Sequence, residues 1–208
     1  MILKHNLKYL NMKSSILFLF ILLMGCSKEN ISDSSFQLPP ETQVGANTFG
    51  VTINGKVYVP RDPTGFSTSP QIKGMTFWGS PDNISWNEIE VIDGAGSTGF
   101  KMVIHIQNFN TIGVGNYQVH DSNFQSGVDS SPQTNVFFKI WNSEQNNYQY
   151  YKSIENQGEI NITRNSGGIV SGNFKGTFLL YGSSDEFITI TDGRFDINTF
   201  TLPTHHFQ

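Results

Sequence analysis

The chain has 208 residues, of which 14% are charged and 13% are aromatic, and it contains 20 glycines and one cysteine. Average soluble domains carry roughly 25% charged residues. The low charged fraction, together with the many glycines and aromatic residues, indicates a β-sheet protein. The formal net charge of −4 argues against binding to phosphate backbones, and we expect no nucleic-acid partner.

Residues 1–25 have the order of charge and hydrophobicity of an export signal. Lysines precede an unbroken run of nine apolar residues, Ile16–Met24, and this order is typical of a signal peptide. Nine residues are too few to span a bilayer, which takes roughly twenty in a helix. The segment holds three lysines and no acid, so its removal leaves ten basic and 17 acidic residues and a net charge of −7. Translation from Met12 instead of Met1 would leave an ordinary signal start, and both starts stay open.

The end of this segment matches the bacterial lipobox. Leu23 stands at position −3, the small Gly25 at position −1, and Cys26 is the only cysteine of the chain. The motif predicts that Cys26 receives diacylglycerol and becomes the mature N-terminus; the alternative is a plain secretory signal. Each buried methylene contributes about 0.8 kcal/mol, so two or three acyl chains form an effectively permanent membrane anchor.

Residues 26–40 are predicted to be the lipidated cysteine and a flexible tether, because this stretch is polar, rich in serine and ends in a proline pair. Ser27 stands where lipoproteins kept at the inner membrane typically carry Asp, which favours the outer membrane. Lys28 and Glu29 resemble the charged tags of lipoproteins sent to the cell exterior. We therefore expect a lipid-anchored protein of the outer membrane at the cell surface, with the periplasmic face as the alternative.

Motifs near both ends of the folded region resemble one family. They read LPPETQ and NTFG, followed by NGK, in the N-terminal part, and GEINIT, IVSGNF and ITDGRFD in the C-terminal part, at Leu38–Gln43, Asn47–Gly50, Asn54–Lys56, Gly158–Thr163, Ile169–Phe174 and Ile190–Asp196. The chain resembles an uncharacterised family of bacteroidete outer-membrane lipoproteins, with a loose match over residues 62–157. Family members often carry Cys where this chain has Val51, so no role passes to that position. The resemblance implies one extracytoplasmic β-domain with no established activity and no catalytic residues to transfer.

Alternating apolar and polar residues predict about ten strands within residues 41–202, followed by a C-terminal tail at 203–208. Phe100, Met102, Ile104 and Ile106 share one face of a strand, as expected for a half-buried strand. No stretch predicts an amphipathic helix of any length. We therefore expect an all-β fold, a single antiparallel β-sandwich or flattened barrel.

Two local irregularities are predicted. Asn54-Gly55 lies between two β-branched runs and marks a hairpin. A two-residue loop would place Val51 opposite Tyr58, but we favour a three-residue loop that places it opposite Val57 and puts Phe49, Val51, Val57 and Val59 on one face.

The second irregularity is a change of phase in the last strand. Ile188 and Ile190 follow one alternation, whereas Phe195 and Ile197 follow the other. An inserted residue at Asp192-Gly193 explains the change, and we expect Gly193 to take a positive φ in a β-bulge.

Residues able to support chemistry are few. His105 alternates with Ile104 and Ile106, so we expect it on the solvated polar face. The run from His120 to Ser122 contains the letters of a catalytic triad, but neighbours along a strand point to opposite faces. His205 and His206 are expected in a disordered tail rather than at a metal.

Two further sets of charged residues are predicted to have structural roles. Asp93 begins a stretch that lacks the spaced carboxylates of a calcium loop, so we expect a turn. Arg194 lies between Asp192 and Asp196 on one strand face, which predicts a structural ion pair rather than a ligand site. We therefore expect no catalytic residues, no metal and no cofactor.

An aromatic cluster is the candidate ligand site. Trp141, Tyr148, Tyr150 and Tyr151 surround the loop 142–147, which is rich in Asn and Gln. Tyr148 and Tyr150 share a strand face about 7 Å apart and can stack on sugar rings while amides bind hydroxyls. The alternative is packing on a sheet or protection of a sheet edge.

The sequence thus favours a non-enzymatic outer-membrane lipoprotein whose β-domain binds a glycan or an envelope protein. The runner-up is a structural envelope component with no soluble ligand. A hydrolase is the third candidate.

Overall fold

The computed structural model describes residues 36–64, 72–96 and 98–208. Ten strands make up most of this part of the chain: β1 Thr48–Ile53, β2 Lys56–Tyr58, β3 Met75–Gly79, β4 Trp86–Ile92, β5 Lys101–Gln107, β6 Gly115–Gln118, β7 Asn135–Asn142, β8 Asn147–Ser166, β9 Ile169–Leu180 and β10 Phe187–Asn198. A four-residue helix, α1 (Phe109–Ile112), and the 3₁₀ turns Gly127–Asp129 and Leu202–Thr204 complete the described secondary structure. The predicted signal peptide, Cys26 and most of the tether lie outside the described residues.

All ten strands belong to one antiparallel sheet, which confirms the predicted all-β class. The strand order is β2-β1-β10-β9-β8-β7-β5-β4-β3, and β6 pairs with β8. The sheet curls into a half-barrel. Strand β8 spans 20 residues, and its first part pairs with β7 whereas its second part pairs with β6.

The concave face of the sheet holds the core. Side chains at alternate positions point to this face, and the largest fully buried ones are aromatic or long aliphatic: Phe49, Phe100, Phe109, Phe138, Phe178, Phe195, Ile53, Met75, Ile89, Met102, Ile104 and Ile106. Burial of one such side chain contributes about 1.5–3 kcal/mol. Strands with this alternation therefore present a polar or mixed convex face, on which the candidate sites lie.

The β1–β2 hairpin corrects one prediction. Val51 pairs with Tyr58, and the favoured pairing with Val57 is wrong. Asn54 and Gly55 have φ angles of 47° and 78°, as in a two-residue type I′ loop, which matches the twist of the flanking strands. Tyr58 then faces the core and packs on Phe100, with ring centroids 4.8 Å apart.

The predicted bulge in β10 is present, but its backbone differs from the prediction. The register with β9 shifts between Ile190 and Gly193, and Gly193 is not among the residues with positive φ. A Cβ at Gly193 would collide with the ring of Phe174. Glycine is required here because an aromatic ring lies flat against the backbone, not because of a left-handed conformation.

The chain segments on both sides of the strands also pack on the sheet. Leu38 and Pro39 cover Gly50, and the Pro39 carbonyl accepts a hydrogen bond from Arg194 at 3.3 Å, so this end of the predicted tether packs on β1 and β10. At the other end, Phe207 is 9% exposed and its amide donates to the Asp62 carboxylate at 3.1 Å. The His205 ring contacts the Phe207 ring with centroids 4.6 Å apart, so the tail packs on the domain at these two residues. Within the described residues, no helix has the length and apolar character needed to cross a membrane.

Candidate functional site

Exposed aromatic side chains lie on the convex face of the β7–β8 hairpin. The register places Trp141 opposite Tyr148 and Lys139 opposite Tyr150. Tyr148 is 41% and Tyr150 44% exposed, while Trp141 is half-buried. We call Trp141, Tyr148 and Tyr150 the aromatic strip.

The rings of the aromatic strip touch one another but do not form a plane. Trp141 and Tyr148 meet edge to face with centroids 5.0 Å apart. The centroids of Tyr148 and Tyr150 are 6.4 Å apart and their planes differ by 57°. The spacing follows from positions i and i+2 of a strand. Because the planes are tilted, the two tyrosines can stack on separate rings of one ligand but not on the same flat ring.

A neighbouring loop supports the strip from one side. The Trp141 amide donates to the Thr98 carbonyl at 2.7 Å. Gly99 has φ 54°, and a Cβ there would collide with the Tyr148 ring. The absence of a side chain at Gly99 lets Tyr148 lie against the loop backbone, which limits the movement of its ring.

The turn of the hairpin is fixed by one side chain. The Asn142 Oδ1 atom accepts hydrogen bonds from the amides of Glu144 and Gln145 at 2.9 and 3.0 Å. Asn146 takes φ 52°, a conformation that Asn tolerates better than most residues. By accepting these two backbone hydrogen bonds, the Asn142 side chain fixes the turn. The exposed turn residues 143–146 therefore lie at a defined end of the strip.

Tyr151 does not belong to the strip, which corrects its selection as a ligand-binding residue. Its side chain is on the opposite face of β8, is 7% exposed, and stacks on Phe138 with centroids 5.2 Å apart and planes 19° apart. Burial raises the pKa of the Tyr151 hydroxyl, with a contribution from the charge of Glu186. Consecutive residues of a strand point to opposite faces, so Tyr151 is a core residue.

The solvated position predicted for His105 is wrong. His105 lies on the convex face but is only 1% exposed. Its Nδ1 atom is 2.7 Å from Oε1 of Glu88, which is fully buried. Trp86 packs on the imidazole with ring centroids 5.3 Å apart.

A loop from a distant part of the chain covers this pair. The Gly127 amide donates to Glu88 Oε1 at 2.7 Å, and a Cβ at Gly127 would lie 3.1 Å from the Trp78 ring. Trp78 meets Trp86 edge to face at 5.0 Å. Glu88 Oε2 has no hydrogen-bond partner among the described residues. The arrangement anchors the loop, and the carboxylate and imidazole are closed off from solvent.

The run His120-Asp121-Ser122 does not form a triad. His120 Nδ1 is 2.8 Å from the Glu155 carboxylate, and the Asp121 carboxylate accepts the Glu155 amide at 3.2 Å. Ser122 is buried, and its hydroxyl accepts the amide of Phe124. The three side chains have separate partners and make no relay.

The predicted ladder of Asp192, Arg194 and Asp196 is present only in part. Arg194 Nη2 is 3.7 Å from Asp192 Oδ1, and its Nη1 donates to the Pro39 carbonyl at 3.3 Å. Asp196 instead binds the N-terminal segment, through the Thr42 hydroxyl at 2.6 Å and the amides of residues 44, 45 and 46 at 2.9–3.1 Å. These groups tie the start of the domain to β10.

Asp196 is held in the charged form by its partners. Burial favours a higher pKa for its carboxyl, but hydrogen bonds from Thr42, Ser171 and backbone amides outweigh burial and lower the pKa below the ordinary 3.8. A hydrogen bond to the charged form of a carboxyl favours that form. The contacts that fix the N-terminal segment therefore also keep Asp196 ionised.

Asp93 is likewise held in the charged form. Its carboxylate accepts Arg61 Nε at 2.6 Å and Nη2 at 2.7 Å, and the Thr98 hydroxyl at 2.6 Å. Burial favours a higher pKa for Asp93, but these hydrogen bonds and the charge of Arg61 outweigh burial and lower the pKa. Asp93 is therefore an ion-pair residue that directly follows β4.

An open groove of about 640 Å³ lies on the convex face where β8, β9 and β10 meet. Its rim carries Thr177, Thr189 and Thr191, and an ion pair joins Lys175 Nζ to Glu159 Oε1 at 3.0 Å. The groove offers hydroxyl groups but no aromatic ring, and its exposed charges are paired with each other. It is a weaker candidate for a stacked ligand than the aromatic strip.

The part of the chain that the structure describes holds no group of three His, Cys, Asp or Glu side chains able to bind a metal ion. Comparisons with protein-family models, curated proteins and solved structures give no match to this chain. The resemblance to bacteroidete lipoproteins therefore stays a prediction from the sequence motifs.

Proposed function

We propose that the chain is an outer-membrane lipoprotein, held by acyl chains on Cys26, whose β-domain is a non-catalytic module that binds a glycan on the aromatic strip. The anchor is supported by the lipobox Leu23-Met24-Gly25-Cys26 and by the apolar run before it. The binding role is supported by the exposure of neighbouring tyrosine rings on a braced hairpin.

The observation that carries the proposal is the pair Tyr148 and Tyr150, which expose 41% and 44% of their surface side by side. Large apolar rings left in water on a structured surface are typical of interaction sites. A sugar ring has an apolar face that stacks on an aromatic ring, while its hydroxyls bind polar groups at the edge. The exposed polar turn at residues 143–146 lies at the end of the strip formed by Trp141 and Tyr148.

The binding role is tested with the purified full-length protein in detergent on a glycan array that contains neutral and acidic glycans. Tyr148→Ala and Tyr150→Ala are compared with Phe200→Ala, which removes a ring that is 77% exposed outside the strip. A stacked ring contributes about 1–3 kcal/mol, so each tyrosine variant should bind about five- to a hundredfold more weakly. The Phe200 variant should bind as the wild type does.

Two outcomes contradict the proposal of a non-catalytic glycan-binding module. An array without any bound glycan favours the structural envelope component. Hydrolysis of a bound glycan by the purified protein favours the hydrolase.

The anchor is tested separately by intact-mass analysis of the membrane fraction. The mature protein should begin at an acylated Cys26, and Cys26→Ser should release the protein from the membrane. An unmodified N-terminus, or a Cys26→Ser variant still in the membrane, would contradict the anchor and leave the binding role open to its own test.

A further inference from the structure

Two lysines flank Tyr150 on the convex face. Lys139 lies directly across from Tyr150 on β7, and Lys152 follows Tyr150 on the same face of β8. Opposite positions of an antiparallel pair have Cβ atoms about 4.5–5.5 Å apart, and positions i and i+2 of a strand are about 7 Å apart. Both ammonium groups can therefore reach a ligand stacked on Tyr150.

The position of the Lys139 side chain is further defined by an aromatic contact. Its Nζ atom lies 4.2 Å from the centroid of the Tyr148 ring. A cation over an aromatic face is attracted by the ring electrons. Lys139 is therefore held between the two tyrosines of the strip instead of extending freely into solvent.

Neither Lys139 nor Lys152 has a carboxylate partner in the described part of the chain, although several other cations do. Arg61 pairs with Asp93, Lys101 with Glu90, and Lys175 with Glu159. After removal of residues 1–25 the chain carries a net charge of −7. The two lysines next to exposed rings are thus a local positive site on an acidic protein.

We infer that the aromatic strip binds an anionic saccharide, with its carboxylate or sulfate groups against Lys139 and Lys152 and a sugar ring on Tyr150. The inference rests on the proposed glycan binding and names the class of glycan. Charge complementarity of this kind adds specificity for the ligand as well as affinity. A neutral glycan would use the rings but would give the two ammonium groups no opposite charge to bind.

The glycan array described above separates this inference from the proposed function. Uronate-containing or sulfated glycans should give the strongest binding, and the two kinds of acidic glycan show which anion is preferred. Lys139→Gln and Lys152→Gln should each weaken binding of the best acidic glycan by about three- to tenfold. Raising the salt concentration should weaken binding of the acidic glycan to the wild type, because exposed charges are screened.

Lys175→Gln is the matched control, because it makes the same change of charge on the same face at a lysine that is paired with Glu159. It should leave binding unchanged. Preferential binding of neutral glycans, or unchanged binding by the Lys139 and Lys152 variants, would overturn the inference and leave glycan binding intact. An array without any bound glycan would overturn both the proposed glycan binding and the inference of an anionic saccharide.

A single-stranded oligonucleotide serves as the competing anion, since stacking rings and lysines also suit unpaired bases. Tighter binding of the oligonucleotide than of any glycan would overturn the inference. Weaker binding is the expected result, because the acidic remainder of the protein repels a long phosphate backbone.

Discussion

His105 Nδ1 and Glu88 Oε1 lie 2.7 Å apart in a closed space on the convex face of the sheet. Removal of one partner from a buried hydrogen bond leaves the other unsatisfied and costs about 1–3 kcal/mol, or more where the remaining group is charged. We therefore expect His105→Ala to lower the free energy of unfolding by about that amount, measured by urea denaturation.

Glu88→Gln is the control for this prediction. A glutamine keeps an acceptor for the Gly127 amide and leaves no buried carboxylate, so its cost should be clearly smaller. A His105→Ala variant within about 1 kcal/mol of the wild type would show that the pair contributes little to stability.

Gly193 should tolerate no side chain. A Cβ there would enter the ring of Phe174, and overpacking of a core costs about 1–3 kcal/mol. We expect Gly193→Val to lower the free energy of unfolding by at least that amount, whereas the exposed Lys175→Ala changes it by no more than about 0.5 kcal/mol. Chemical denaturation that ranks the two variants in the reverse order would contradict the packing of Phe174 on Gly193.

Asp196 should make the protein sensitive to acid. Its pKa is lower in the folded protein than the ordinary 3.8, so the folded state binds its proton less readily than the unfolded state does. The stabilisation is complete above pH 3.8 and is lost as the pH falls through the lower folded pKa. Melting temperatures measured from about pH 6 to about pH 2 should fall more steeply for the wild type than for Asp196→Asn. Parallel curves would show that another carboxylate, such as Asp93, dominates the acid response.

The sequence was sufficient for the elements that depend on local alternation. The alternation from Phe100 to Ile106 predicts β5, which the structure places at Lys101–Gln107. The β1–β2 turn was also located, but Val57 and Tyr58 are both apolar, so alternation alone did not decide which of them faces the core. Alternation does not predict the full length of β8, because the strand is irregular in its middle. Asn156 takes φ 58° and the register with β9 shifts between Ser153 and Gly158.

Contacts between distant segments were not visible in the sequence. His105 is buried by a loop, and the contact of that loop with Glu88 joins residues 39 positions apart. In the aromatic strip, the shared face of Tyr148 and Tyr150 follows from their spacing. Whether Lys139 has a carboxylate partner depends on the register of several strands, so the charge of the site required the structure.

Tyr150 and Tyr151 are neighbours on β8 whose side chains point in opposite directions. Tyr150 is 44% exposed on the strip, whereas Tyr151 is 7% exposed and stacks on Phe138. Tyr151→Ala should lower the free energy of unfolding by about 3–5 kcal/mol, as expected for removal of a large buried ring. Tyr150→Ala should change it by no more than about 0.5 kcal/mol, since surface substitutions rarely cost more. Both values are obtained by urea denaturation, and Tyr151→Phe, which keeps the ring, should retain most of the stability. A large loss of stability in Tyr150→Ala would mean that its ring holds the sheet together, and the aromatic strip would then lose its role as a ligand site.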